Sequence, residues 1–284
     1  GLYSWECRRG LFPFQYTISL MAQFVCEPVG CCKGRIFASV ARMVYFRSMN
    51  EGSEGTRINK YFTLVGYCSR RAADKLIDEG AVKINGVVPV QGTKVLPGDV
   101  VTVNGIEVKK NEETPSTYIA LNKPVGIVCT TDTKREKDNI IDFIDYPSRI
   151  FPVGRLDKMS EGLIILTDDG SIVNHILRER NGHEKEYIVT VNRPIDEEFI
   201  ETMASGVSIL DTFTRPCKVT RMTSTQFKIV LVQGLNRQIR RMCEALGHRV
   251  IRLKRIRIMS LELDTAPGKW RPLTEKEVGK LRGN

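Results

Sequence analysis

The sequence predicts an α+β protein in which a small module of two helices and a small sheet precedes a larger domain with a mixed, mainly antiparallel sheet. Short segments of alternating apolar residues dominate the chain, and helical stripes lie among them without a regular strand–helix–strand repeat. Asn-Gly and Pro-Gly pairs separate several of these segments and are typical of tight turns. The 284 residues are enough for two domains of this kind.

Composition points to an acidic partner and excludes several classes of site. The net charge is +10, which favours a polyanion because each neutralised phosphate releases a counterion, although charge alone does not separate RNA from DNA or a membrane surface. The sequence contains no run of about 18 apolar residues, so we expect no membrane-spanning helix. The eight cysteines form no CxxC pair and there are only three histidines, so we expect free thiols and no metal site.

The first 48 residues differ from the rest, because they are basic, poor in acids and without helical or strand period. They fit either an organelle transit peptide or translated upstream sequence. We favour the second interpretation, with Met49 as the true start and residues 1–56 as a leader that is disordered or not native. The expected location is then the cytoplasm, whereas a genuine transit peptide would make the protein organellar.

Residues 57–108 predict the small module. Ile58, Tyr61, Phe62 and Val65 form one helical stripe that ends at a glycine. Ser69 then caps a second helix over 70–79. The strand segments that follow are separated by Asn-Gly and Pro-Gly turns and lie at 82–84, 88–90, 101–103 and 106–108.

The two helices carry clustered cations. Arg70 and Arg71 lie in the first turn of the second helix, where opposing the helix dipole costs a few tenths to about 1 kcal/mol. A sequence that keeps two cations there is expected to use them, although a solvated basic surface is the alternative. The predicted RNA-binding face comprises Arg57, Lys60, Ser69, Arg70, Arg71 and Lys75.

Residues 109–117 are charged, include Pro115 and have no apolar period, so they predict a linker. The larger domain, 118–284, opens with strand character over 118–128. Its densest signal lies at 151–167, where two apolar runs flank a polar loop. Two buried strands joined by this loop would place Asp157 at the rim of a sheet, where catalytic residues often lie.

The remaining segments alternate between strands and short helices. A helix is predicted over 172–177, and the strand 186–191 directs its odd-numbered residues, Tyr187 among them, to one side. Further expected elements are a strand at 227–232, a helix capped by Asn236 with a buried stripe at Ile239, Met242, Cys243 and Leu246, a bulged strand over 251–258 with Arg255 and Arg257 on its outer face, and a last helix opened by a capping box at 274–277.

The small module resembles an S4 domain, a type of domain that binds folded RNA through its two-helix face. The resemblance rests on INKYF, SRRAADKLIDEGAVKINGVV and PGDVVTVNG. The larger domain resembles the catalytic domain of the small-subunit-type rRNA pseudouridine synthases, a family that usually carries an S4 domain in front. The motifs are NKPVG (122–126), GRLDKMSEGLIILTDDG (154–170), KEYIVTV (185–191), LVQGLNRQIRRM (231–242) and GKWRPLT (268–274).

This resemblance implies roles for individual residues. Asp157 is the essential catalytic residue, Tyr187 stacks under the target uracil, and Arg240 pairs with Asp157. Arg155 is expected to hold the displaced base or its gap. The predicted RNA contacts of this domain are Lys123, Arg155, Arg237 and Arg241.

The chemistry of the family requires such residue types. Uracil must be detached from C1′, turned and rejoined through C5, and the target must first leave its stack for an aromatic face. A carboxylate can act as nucleophile or as base, and Tyr187 is also a candidate to remove the C5 proton. No cofactor is expected, and neither GxxxxGK[ST] nor GxGxxG occurs.

We therefore expect a monomeric enzyme that acts on structured RNA, with large-subunit rRNA as the leading substrate and no membrane partner. Members of the family that modify large-subunit rRNA are the closest in the KEYIVTV and RQIRRM motifs. The same reaction on tRNA or small-subunit rRNA is one alternative. A non-catalytic RNA-binding factor in ribosome assembly is the other.

Overall fold

The computed structural model of the chain describes residues 55–109 and 115–283. The predicted leader lies outside these residues except for its last two, and the predicted linker is described only at its two ends.

The N-terminal module consists of two helices against a small sheet, as predicted. The helices are α1 (Ile58–Leu64) and α2 (Arg70–Asp78), and the strands are β1 (Thr56–Arg57), β2 (Val82–Ile84), β3 (Lys94–Val95), β4 (Val101–Val103) and β5 (Ile106–Glu107). Phe62 and Ala73 from the helices are fully buried against Val82 of the sheet, so the apolar stripes form one core. Ser69 caps α2, its hydroxyl accepting from Ala72 N at 3.2 Å.

The predicted hairpin at Asn85-Gly86 is only partly correct. The turn forms, with φ of 50° at Asn85 and 81° at Gly86, and Ile84 bridges Val87. Residues 88–90 nevertheless form no strand, and β2 pairs with β4 instead. Pro89 explains the difference, because proline cannot donate to a sheet ladder.

The larger domain is built on one long sheet. Its strands are β6 (Tyr118–Lys123), β7 (Phe151–Val153), β8 (Glu161–Thr167), β9 (Lys185–Val191), β10 (Ser208–Ile209), β11 (Thr212–Phe213), β12 (Lys218–Arg221), β13 (Gln226–Leu231), β14 (Val250–Ile258), β15 (Leu261–Glu262) and β16 (Trp270–Pro272). The spatial order is β12-β13-β9-β14-β8-β6-β16, with β7 beside β8, β15 beside β14, and β10 paired with β11 apart from this sheet. Strands β14 and β8 are parallel, and the other strand pairs of this sheet are antiparallel, so the predicted mixed, mainly antiparallel sheet is confirmed.

Helices cover both faces of this sheet. They are α3 (Ile140–Ile144), α4 (Ser171–Leu177), α5 (Glu197–Ser205), α6 (Gln238–Ala245) and α7 (Glu275–Arg282), with a 3-10 turn at Glu179–Asn181. Helices α5 and α6 pack on β9, β13 and β14, and α4 and α7 pack on β6 and β8. Helix α3 packs on the opposite face of β6 and β8, next to the loop that follows β7. This last face carries the candidate site.

Two local predictions in this domain are wrong. Helix α6 is not capped by Asn236, because the N-cap is Arg237 in a left-handed conformation with φ of 51°. Strand β14 is bulged as predicted, but Arg255 does not lie on its outer face. The register shifts at both ends of the pairing turn Arg255 inward, where it is 4% exposed and its Nε donates to Leu163 O at 2.7 Å.

Two predictions for helices are confirmed, and one for a strand only in part. Ile239, Met242 and Cys243 of the α6 stripe are buried and Leu246 is half-buried, and Thr274 and Glu277 form the capping box of α7. Strand β6 ends at Lys123, earlier than the strand character to 128 indicated, because Pro124 follows.

Candidate active site

Asp157 lies in the loop of a hairpin. Strands β7 and β8 pair antiparallel, with Phe151 opposite Thr167, and residues 154–160 connect them. The backbone carbonyl of Asp157 accepts from Ser160 N at 3.0 Å, which closes a tight turn. The Asp157 side chain is 34% exposed, so its carboxylate lies at the rim of the sheet and remains accessible.

A second loop braces this turn from the other side. It follows β6, and Gly126 N donates to Lys158 O at 2.8 Å. Leu156 N donates to the buried thiol of Cys129 at 3.3 Å. These bonds fix the backbone on both sides of Asp157, which is the condition for a carboxylate to keep a defined orientation.

Arg240 reaches this turn from helix α6. Its guanidinium is 9% exposed, and Nη2 donates to Met159 O at 2.8 Å and to Ser160 Oγ at 3.1 Å. Its Nε lies 3.7 Å from Asp157 Oδ2, which is an ion pair but too long for a hydrogen bond. Burial lowers the pKa of Arg240 and Asp157 opposes that shift, yet a guanidinium remains charged in proteins.

Tyr187 stands on the same face of the sheet. It lies in β9, opposite Arg255 of β14 and Ile229 of β13, and its side chain is partly buried. The ring packs against the apolar cluster that contains Leu156, the residue before Asp157. The structure therefore brings all three predicted catalytic residues to one region from three separate elements.

Lys123 does not lie at the surface of the protein, which contradicts the predicted contact of Lys123 with RNA. Its side chain is fully buried, and its ammonium donates to Pro124 O at 2.8 Å. Desolvation lowers the pKa of Lys123, while the nearby charges of Asp157 and Glu161 oppose the shift. Lys123 is therefore a buried cation beside the site, where strand β6 ends.

The other predicted RNA-binding residues lie at or near the surface. Arg155 and Arg237 are exposed, and Arg241 is half-buried with its Nε donating to Asn236 O at 3.1 Å. On the N-terminal module, Lys60 is half-buried, Lys75 pairs with Glu79 at 3.6 Å, and the exposed members are Arg57, Ser69, Arg70, Arg71 and Lys75. These side chains are free to meet phosphates, apart from Arg241, Lys75 and Ser69, whose polar atoms already have partners within the chain.

A cleft of about 560 Å³ elsewhere in the larger domain contains none of the predicted site residues. Tyr146, Trp270 and Arg282 are among its lining residues. The Asp157 carboxylate is instead accessible at the rim of the sheet, and an accessible rim suits a macromolecular substrate.

Comparisons with known proteins agree with this arrangement. The S4 domain model matches residues 56–101, and the RNA pseudouridylate synthase model matches residues 117–245. The dual-specificity RNA pseudouridine synthase RluF of Salmonella typhi is 54% identical over 224 residues, which cover 78% of this chain and 77% of that protein. The chain belongs to the RNA pseudouridine synthase family.

Two further relatives of this pseudouridine synthase extend the comparison. The ribosomal large subunit pseudouridine synthase B of Bacillus subtilis is 35% identical and covers 80% of this chain and 95% of its own length. A crystal structure of a pseudouridylate synthase has a TM-score of 0.59 and 31% identity, covering 80% of this chain and 99% of its own. The predicted fold class and enzyme class are both confirmed.

Sequence reasoning missed several residues that build the site of this synthase. Ser160 bonds Arg240, and Glu161 is buried and paired with Arg252. Ser160 and Glu161 stand directly before the apolar run of β8, and this position could have revealed them. A polar residue next to a buried strand is itself expected to be buried and therefore to need a hydrogen-bond partner. Among the described residues, no helix is long and apolar enough to cross a membrane, and no cluster of three or more potential metal ligands occurs.

Proposed function

We propose that this pseudouridine synthase isomerises a specific uridine of large-subunit ribosomal RNA, with Asp157 as the catalytic residue. One observation carries the assignment: a partly exposed carboxylate lies 3.7 Å from a buried guanidinium in a loop that is hydrogen-bonded on both sides. Burying a guanidinium costs free energy, which its hydrogen bonds to Met159 and Ser160 and its pairing with Asp157 offset. A buried cation held beside an accessible carboxylate supports a role in orienting Asp157 towards a substrate.

Each of the three residues has a distinct part in this proposal. Asp157 attacks or deprotonates the ribose of the target, and Arg240 holds the carboxylate in place. Tyr187 offers a ring face on which the flipped uracil stacks while its glycosidic bond is broken and re-formed through C5. The accessible rim around Asp157 admits a nucleotide that has left its helix.

The RNA itself is bound through cations on both domains. Arg57 of β1 and Arg70 and Arg71 of α2 are exposed, and in the larger domain Arg155 lies in the loop that carries Asp157 and Arg237 is the N-cap of α6. Phosphate contacts of this kind position an RNA without reading its sequence. The choice of target then rests on the shape of the RNA and on the fit of the flipped base.

The relatives favour ribosomal RNA and also suggest a second substrate. The Bacillus subtilis relative is named for the large ribosomal subunit, whereas the Salmonella typhi relative is named as a dual-specificity enzyme. We therefore include tRNA as a second candidate substrate of the same site. The pairing of Asp157 with Arg240 favours an enzyme over a non-catalytic assembly factor.

The catalytic assignment is tested with Asp157→Asn. We expect turnover to fall by at least about 10³-fold, while the RNA dissociation constant changes by less than about threefold, because a catalytic group contributes mainly to the transition state. Asp132→Asn, which removes an exposed carboxylate of the 131–138 loop, is the matched control. Turnover that survives in Asp157→Asn would remove Asp157 from the chemistry.

The substrate is identified by a site-resolved map of pseudouridine in rRNA and tRNA from cells with and without the protein. A position in large-subunit rRNA that loses its modification supports the proposal. Loss at a tRNA position alone shifts the assignment to tRNA, and no loss at any position makes the RNA-binding alternative the better one.

A further inference from the structure

We propose that Ser160 is a positioning residue for the reaction, acting through Arg240. The Ser160 hydroxyl orients the guanidinium of Arg240 through a hydrogen bond, so that Nε faces the carboxylate of Asp157. This inference rests on the proposed catalytic role of Asp157 and adds a residue to that site.

Ser160 contacts both members of the pair. It is 1% exposed, its backbone N–H donates to the carbonyl of Asp157 at 3.0 Å, and its Oγ accepts from Arg240 Nη2 at 3.1 Å. One residue thus links the turn that carries the carboxylate to the side chain that pairs with it. Such a link is how supporting residues fix a site to within a fraction of an ångström.

The contacts of Arg240 show why the hydroxyl matters. Nη2 carries two protons, and these are directed at Met159 O and Ser160 Oγ, at 2.8 and 3.1 Å. Nη1 has only a contact of 3.5 Å to Val250 O, at the limit of hydrogen bonding. Among the described residues, Arg240 Nε is buried without a hydrogen-bond partner.

The direction of Nε therefore depends on the two bonds made by Nη2. The guanidinium is planar, so fixing both protons of Nη2 fixes the plane and the line along which Nε points. That line places Nε 3.7 Å from Asp157 Oδ2, close enough to attract the carboxylate and far enough to let it move to a substrate. With Met159 O alone, the plane can turn about a single hydrogen bond and the alignment is lost.

The first test compares Ser160→Ala with Ser160→Thr under single-turnover conditions. We expect Ala to lower the rate of the chemical step by about 10- to 100-fold, the scale of a small misplacement of catalytic groups. The RNA affinity should stay within about twofold, since Ser160 is buried and meets no RNA. Ser160→Thr keeps the hydroxyl and should recover most of the rate, whereas Ser160→Cys keeps the volume with a weaker acceptor and should not; full recovery by Cys would indicate a merely space-filling role and overturn the inference.

Ser171→Ala is the control, because the Ser171 hydroxyl also makes a side-chain hydrogen bond, donating to Asp169 Oδ1 at 2.5 Å, but Ser171 lies in helix α4, away from Asp157. It should leave the rate unchanged. If Ser160→Ala loses its cooperative melting transition, Ser160→Cys carries the same comparison, because it keeps the volume and is a weaker acceptor.

The second test asks whether Ser160 acts through Arg240. In an Arg240→Lys background, Ser160→Ala should cause little further loss, because residues that act as a unit are non-additive. An equal loss in both backgrounds would overturn the inference, as would a full rate in Ser160→Ala. Asp157→Asn is measured in parallel: if it is inactive while Ser160→Ala is fully active, only the role of Ser160 fails, and the proposed function stands.

Discussion

Replacing Gly162 by alanine should destabilise the protein and disturb the site together. Gly162 lies where β8 runs parallel to β14, and it pairs with Arg255. Its φ is +104°, and an added Cβ would lie 2.2 Å from Arg255 O and 2.8 Å from Arg255 N. Both neighbours are backbone atoms, so no side chain can move aside to make room.

The magnitude follows from two costs and one gain. Holding alanine at this positive φ costs about 1–3 kcal/mol, and forcing a methyl group into a packed contact costs about 1–3 kcal/mol. The smaller conformational entropy of unfolded alanine returns about 0.4–1 kcal/mol. The net loss is about 1–5 kcal/mol, which lowers the melting temperature by about 2–20 °C in a protein of this size.

Urea unfolding followed by circular dichroism measures this loss, with Gly279→Ala as the control. Gly279 lies in helix α7 and an added Cβ meets nothing within 4 Å. Alanine there should be neutral or stabilising by up to about 1 kcal/mol. If Gly162→Ala unfolds within about 0.5 kcal/mol of the wild type, the contact with Arg255 does not constrain the fold and the reasoning is refuted.

Two further predictions concern RNA binding and acid stability. Arg70→Ala with Arg71→Ala should weaken RNA binding and flatten its salt dependence, lowering the slope of log K against log salt by about 1.4–1.8, the value for two phosphate contacts. An unchanged slope would remove both residues from the RNA contacts. Glu277, bonded to Arg271, has its pKa lowered to about 2, so its stabilisation is present above its ordinary pKa of 4.5 and is lost as the pH falls towards about 2. Glu277→Gln should therefore cost about 1–2 kcal/mol at pH 7 and flatten the acid limb of the stability curve between these values; an acid limb like that of the wild type would contradict this.

Both of these predictions have matched controls in helix α7. Lys276→Ala with Lys280→Ala removes two exposed cations from the α7 helix of the larger domain and should leave the salt slope unchanged. Glu275→Gln alters an exposed carboxylate in the same first turn as Glu277. It should change the stability by no more than a few tenths of a kcal/mol, the scale of a surface charge near a helix terminus.

Elements with a strong local period were the ones that the sequence predicted well. The stripe of α6 and the alternation of β9 depend on neighbours three, four or two residues away, so their buried sides follow from the order of residues. The inward turn of Arg255 depends instead on register shifts against a strand that lies elsewhere in the chain. No local pattern reveals which way a bulge sends a side chain, and the prediction for Arg255 failed for this reason.

At the candidate site, the burial of Lys123 likewise could not be predicted from the local sequence. A lysine in a polar motif is expected at the surface, since lysine is seldom fully buried without a partner. Here Lys123 is buried at the end of strand β6, where desolvation lowers its pKa and the nearby charges of Asp157 and Glu161 oppose that shift. The family motifs predicted Asp157, Tyr187 and Arg240 by residue type, whereas the hydrogen bond from Arg240 to Ser160 was not predicted, because serine is too common a residue to stand out.

The position of the site in the sheet separates two kinds of mutational effect. The carboxylate is carried by the β7–β8 loop, and its partner by α6, which leads into β14. The parallel contact of β8 with β14 at Gly162 joins these two halves. Changes at that contact should therefore reduce stability and the chemical step together, because they move Asp157 relative to Arg240. Changes at the cations of α2 should reduce RNA affinity alone, since no atom of that helix holds the catalytic turn.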